Sequence, residues 1–201
     1  INGAIYLKEQ GFDAVEINAA GNNIGQAFFS RQRNHREDEY GPQSFENRAR
    51  FVGEIVAGIK EACGSDFPVQ ILINGIEEND IELGESSLST TVEENCEICK
   101  VLESYGADSL HVRLGVFRMH VNQFASDLYF TGYGIEGTAA NGAQFDFSRH
   151  FQGKLLANHS GCGMMLNVAK QIKDAVSIPV GTVTYMDPAH APKMFEDALK
   201  D

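Results

Sequence analysis

"GFDAVEINAAG", Gly11 to Gly21, decides how this chain is read. Residues 3 to 10 carry a helical pattern, and a glycine directly after it is the common C-terminal stop, because glycine enters left-handed backbone without a Cβ penalty. Ala14 to Ala20 then reads as a short strand. Helix, glycine turn, strand and polar loop recur in that order along the chain, which is the rhythm of a β/α array.

A long polar loop is expected from there to about Gln43. A helix follows behind Ser44 as N-cap, with Phe51, Ile55, Ile59 and Cys63 recurring every fourth residue. "FPVQILING" supplies the next strand, with Pro68 at its start, where a missing N–H does little harm. Thr91 and Glu94 have the spacing of a capping box. That helix runs to about Tyr105, Gly106 ends it, and "DSLHVRLGV" is a strand. Phe117 to Ser160 breaks the rhythm as a long irregular loop insertion, too long for an ordinary connection. A helix from about Gly163 to Ala175 leads into "SIPVGTVTYMDP", with Asp187 as N-cap and Pro188 opening a last helix. The whole chain is expected to be one domain.

With 201 residues, 43% hydrophobic and 22% charged, the chain has the composition of an ordinary globular domain. Twenty-eight acidic against 16 basic residues give a net charge of -12, which argues against nucleic acid and anionic membrane surfaces as partners. No apolar run approaches the roughly 20 residues of a membrane span. The first residues lack the pattern of a secretory signal, so a cytoplasmic location is expected. Cys63, Cys96, Cys99 and Cys162 are expected to be free thiols. A single "CEIC" points to helix packing more than to metal, since zinc sites use two such pairs.

Four strands do not close a (β/α)8 barrel, which takes eight strands and typically about 250 residues. The chain opens and closes inside helical patterns, so a segment of a larger barrel is the economical expectation. A small open parallel sheet is the alternative, and spacing alone does not separate them.

"GFDAVEI", then "NHREDEYG", then "ENRARF" resembles the Old Yellow Enzyme family of NADH:flavin oxidoreductases. Its pattern is matched by Gly11, Asp13, Val15, Glu16, Ile17, Asn34, Arg36, Asp38, Tyr40, Gly41, Ser44, Glu46, Asn47, Arg48, Arg50 and Phe51, with one extra residue between Gly41 and Ser44. The resemblance implies an α/β fold, a partial (β/α)8 TIM barrel of about four β/α units, strands four to seven of the family's FMN-binding barrel. It also implies a parent that passes hydride from NAD(P)H through FMN to a small-molecule substrate, an activated alkene or a relative of one, with activity belonging to that larger protein.

The same resemblance assigns the candidate site. The family usually has His where this chain has Asn18, and His or Asn where it has Gly21; the pair donates hydrogen bonds to a substrate carbonyl. Asn18 keeps a donor, Gly21 has none, and Asn22 is the candidate second donor. The family's proton-donating Tyr aligns with Asn23, an amide that cannot act as a general acid. The family's flavin-facing Arg aligns with Leu72. Thr184 and Tyr185 stand at the flavin phosphate position, where relatives often have glycine. These departures keep a second reading open, a barrel-derived binding or scaffold module without flavin.

The cluster Arg36, Asp38, Glu46, Asn47 and Arg48 reads as structural, pinning the loop to the following helix. His111 reads as a satisfied strand histidine, facing either the barrel interior or a helix. His120, His150 and His159, Arg113 and Arg118, and the aromatic residues of 117–160 stand where a substrate pocket is expected or pack that loop onto itself. Open sheet edges would expose backbone groups, so a homo-oligomer is expected.

Overall fold

The structure, a computed structural model, describes residues 1–21, 23–77, 88–113, 133–134, 138–139, 163, 165–182 and 192–200. Its centre is a four-stranded parallel sheet of β1 (Val15–Ala19), β2 (Val69–Asn74), β3 (Ser109–Arg113) and β6 (Val180–Thr182), in the order β1-β2-β3-β6. Two short antiparallel strands, β4 (Tyr133–Gly134) and β5 (Thr138–Ala139), are the described part of the stretch expected to be irregular. The helices are α1 (Asn2–Glu9), α2 (Ile24–Phe29), α3 (Phe45–Cys63), α4 (Val92–Ser104), α5 (Leu166–Ala175) and α6 (Pro192–Lys200). No helix among the described residues is long and apolar enough to cross a membrane.

Alternation along the strands gives the sheet two unlike faces. Ala19, Val69, Ile71, Ile73, Leu110 and Val112 point to the helical side and are fully buried there. They meet Val52, Val56 and Ile59 of α3, Ile98, Cys99 and Leu102 of α4, and Val168 and Ile172 of α5 in one core. The opposite face carries Glu16, Asn18, Gln70, Asn74, Ser109, His111 and Arg113, with Leu72 as its apolar member. Parallel sheets covered by helices on both faces are apolar on both. A polar second face instead suits the interior and rim of a barrel, where side chains from neighbouring strands meet each other.

Local sequence accounts for most element ends. Ser44 Oγ accepts the Asn47 N–H at 3.1 Å and starts α3. Thr91 and Glu94 form the expected reciprocal box, each side chain taking the other's backbone N–H at 3.2 Å. Three expectations need correction. The stretch before Gln43 is not all loop, because Ile24–Phe29 forms α2; a helix of six residues has little intrinsic stability, and here burial of Phe29 and Gln26 holds it. The buried stripe of α3 is Ala49, Val52, Val56, Ile59 and Cys63, while Phe51 and Ile55 lie half-buried on its flank. A line of fourth residues drifts round a helix of 3.6 residues per turn, so the expected run slides from the flank into the core. Finally, α5 begins at Leu166, since Gly163 sits at φ +68 in a turn. The expected start of the last helix at Asp187 and Pro188 lies outside the described residues.

Candidate functional site

Register places the polar face in rows. Asn18, Leu72, His111 and Gly181 are Cα partners across all four strands. Glu16, Gln70 and Ser109 form the row toward the strand N-termini, and Asn74 and Arg113 the row toward the C-termini. Glu16 reaches across β2 to His111, with Oε2 2.8 Å from Nδ1. Gln70 Nε2 donates to Ser109 Oγ at 3.0 Å. His111 is therefore on the polar face and satisfied by a carboxylate. Below the rim, the face has its polar groups paired.

At the rim, Asn18 is exposed and its Oδ1 accepts the Ala20 N–H at 3.2 Å. That bond sets the polarity of the carboxamide, because the oxygen is engaged by the backbone and the Nδ2 donor is left facing away. Leu72, beside Asn18 by register, is 9% exposed and offers no polar atom. Gly21 sits at φ +64, and the position of a Cβ there has no neighbour within 4 Å. Of the sequence-derived site residues, Asn18 and Leu72 are thus brought together. Asn22, Thr184 and Tyr185 lie outside the described residues, as does most of the 117–160 stretch.

Sequence reasoning missed Asn74. Only 1% exposed, it accepts the Gly21 N–H on Oδ1 at 2.9 Å and directs Nδ2 to the Gly21 carbonyl at 3.5 Å. A polar residue closing the apolar run "VQILIN" was the available signal. The next residue is held as well, since Asn95 Nδ2 donates to the Gly75 carbonyl at 2.9 Å.

Behind the rim lies a buried charge cluster. Arg48, 2% exposed, donates from Nε to the Phe29 carbonyl at 2.6 Å and from an Nη to Thr90 Oγ1 at 2.9 Å, with Glu94 Oε1 3.5 Å away. Arg31 Nε lies 3.0 Å from the same Glu94 oxygen. Glu77 is 1% exposed and accepts from Thr90 N at 2.9 Å, from Ser30 Oγ at 3.1 Å and from Gln26 Nε2. Burial pushes the Glu77 carboxyl up and the Arg48 guanidinium down from their ordinary values. The Glu77 N–H also donates to the Thr90 carbonyl at 3.0 Å. The loops leaving β1 and β2 are therefore tied to each other and to α3 and α4.

The rest of the motif secures the loop before α3. Asn34 Nδ2 donates to the carbonyls of Phe28 at 3.0 Å and Tyr40 at 2.7 Å. Arg36 pairs with Asp38, and the hydrogen bond from Arg36 holds that carboxyl below the usual carboxylate range. Tyr40 Oη donates to Glu54 at 2.9 Å, and Arg50 Nε to the Glu39 carbonyl at 2.9 Å. Cys63, Cys96 and Cys99 are free, and burial raises the Cys96 and Cys99 thiols, so neither is poised as a thiolate. Cys162 lies outside the described residues. Among the described residues no group of three or more His, Cys, Asp or Glu is placed to hold a metal.

A sheet with paired polar groups on one face, helices on the other and a donor at its C-terminal rim is the layout of a barrel enzyme's ligand-binding end. Residues 2–114 match the model of the NADH:flavin oxidoreductase / NADH oxidase family, and the chain belongs to that family. It is 40% identical over 118 residues to the NADH oxidase of Thermoanaerobacter brockii, a match covering 58% of this chain and 17% of that protein. It is 36% identical over 126 residues to the cinnamate reductase of Clostridium sporogenes, covering 55% and 18%. Among solved structures, a 2-naphthoyl-CoA reductase in complex with 2-naphthoyl-CoA superposes with a TM-score of 0.66 at 26% identity, over 96% of this chain and 24% of that one. The old yellow enzyme homologue from Zymomonas mobilis superposes at 0.60 and 17% identity, over 98% and 42%, and supports the fold alone. The sheet is thus part of a (β/α)8 barrel. The chain spans less than a fifth of the length of the first two relatives.

Proposed function

We propose that this chain is a segment of an FMN-dependent oxidoreductase that takes hydride from NAD(P)H and delivers it to an activated alkene or related small molecule. The observation that carries this reading is the polarity of Asn18, an exposed residue whose Oδ1 is engaged by the Ala20 N–H, which leaves Nδ2 as the donor for a ligand. A donor fixed in that way binds a carbonyl oxygen and stabilises the negative charge that grows on it as the conjugated carbon accepts hydride.

The described rim fits a planar ring with an edge of acceptors. The Arg113 guanidinium supplies donors, Leu72 supplies an apolar floor, and Glu16, the carboxylate on that face, is engaged one row down by His111. FMN, when bound, supplies the two-electron chemistry. Asn18 would orient and polarise the substrate carbonyl, with Asn22 as second donor, and Thr184 and Tyr185 would flank the phosphate. Gly21 and Asn23 bring no general acid, so the proton that completes reduction would come from water.

The test is titration of the purified full-length parent with FMN, followed by flavin fluorescence. Saturable binding below roughly millimolar FMN is expected. No binding in that range would overturn the proposal and select the second reading, a flavin-free binding or scaffold module. Leu72 favours that alternative, because an apolar side chain stands where the family places a cation.

The segment on its own is also expected to be a homo-oligomer. β1 and β6 have no further strand partner among the described residues, and open edges invite pairing. Light scattering at micromolar concentration should give a mass above the protomer's, and a strictly monomeric mass would contradict this.

A further inference from the structure

The β1–β2 pairing ends at Ala19 and Ile73, after which the first chain turns away from the sheet. Asn74, the next residue of β2, continues the pairing with its side chain. Its carboxamide accepts the N–H of Gly21 and faces the C=O of the same residue, the two groups a neighbouring strand would have taken. Asn74 has no freedom to do otherwise: it is 1% exposed, and the following Gly75 is held by Asn95 from α4. Gly21 in turn closes the loop whose first turn is the bond from Ala20 N–H to Asn18 Oδ1. The grip on Gly21 and the orientation of Asn18 are thus two ends of one four-residue segment.

We propose that Asn74 is a positioning residue for the ligand-facing loop, acting through Gly21 to hold the Asn18 carboxamide with its donor outward. This rests on the reading of that loop given above. The side chain of Asn74 lies beneath the loop and contacts its backbone; its contribution is geometric. An amide suits this task because the fork needs one acceptor and one donor side by side, which neither a carboxylate nor a hydroxyl supplies.

Two variants test it. Asn74→Leu removes both bonds while keeping the same heavy-atom branching. Asn74→Asp keeps the acceptor but turns a carboxylate oxygen toward the Gly21 carbonyl, and it regains a donor only when the new carboxyl is protonated. Arg113 is the charged register neighbour on the same face. By NMR of the intact protein, hydrogen exchange at the Gly21 amide should rise roughly tenfold in Asn74→Leu, and the Asn18 side-chain amide resonances should shift, with the melting of the protein little changed. In Asn74→Asp both signals should return toward wild type as pH falls. A merely structural residue would move stability without moving the Asn18 side-chain resonances. Unchanged Gly21 exchange and Asn18 resonances in both variants would overturn the positioning role. That outcome is separate from the FMN titration of the wild type, whose failure overturns the functional reading alone.

Discussion

Replacing Arg48 with Met should lower stability by about 3–5 kcal/mol, the cost of breaking a buried ion pair from one side. The side chain is 2% exposed and reaches three acceptors on three elements: the Phe29 carbonyl at the end of α2, Thr90 before α4, and Glu94 inside the capping box. Met fills the volume but leaves the carbonyl, the hydroxyl and part of the Glu94 charge without their donor. Desolvation of the guanidinium works against the native pair and lowers the Arg48 pKa, and removal of Arg48 relieves it. The unpaired groups left behind cost more. Urea unfolding checks this: the midpoint should fall with the slope unchanged. Arg48→Lys should recover little, because one ammonium cannot replace a planar fork directed at separate acceptors. A loss under about 1 kcal/mol for Arg48→Met would show that the cluster is not what ties the two loops together.

Legibility of the sequence divides along physical lines. Ser44, Thr91 and Glu94 were readable because capping is chemistry between residues three apart, and the structure has those bonds. The β/α order was readable because glycine stops and short apolar runs are local signals. What failed was non-local. Helix α2 exists because Phe29 and Gln26 are buried against other elements, and no periodicity in six residues announces that. The expected line on α3 misses the core at its Phe51 end because each fourth residue advances about 40° around the axis. In the site, Asn18 and Leu72 were found through the family's motif, and register then placed them side by side. Asn74 escaped because its partner is 53 positions away in sequence and its role is visible only once two strands lie together. Glu77 escaped for the same reason, its carboxylate being held by Gln26, Ser30 and Thr90 from both directions along the chain.

In the full-length parent, Asn18→Leu should reduce kcat for an α,β-unsaturated carbonyl substrate by about 100- to 1000-fold, the range seen when one donor to a developing oxyanion is removed. The substitution deletes the Nδ2 donor and also leaves the N–H of the buried Ala20 without its Asn18 acceptor, so a stability measurement must accompany the kinetics. Since Asn18 acts on growing charge, the loss should fall on kcat more than on KM. FMN affinity should change little, because the loop retains its hold through Asn74 and Gly21. The complementary variant is Gly21→Asn. Its backbone at φ +64 is the conformation that Asn tolerates best after glycine, and nothing stands within 4 Å of the new Cβ. A second amide there would meet the same oxygen as Asn18 and raise kcat, by up to about tenfold if it forms one further hydrogen bond in the transition state. Steady-state kinetics of wild type and both variants with a saturating electron donor decide the matter. If Asn18→Leu reduces the alkene as fast as wild type, the rim donor has no part in polarising substrate, and the chemistry must be sought on the loop that follows β3.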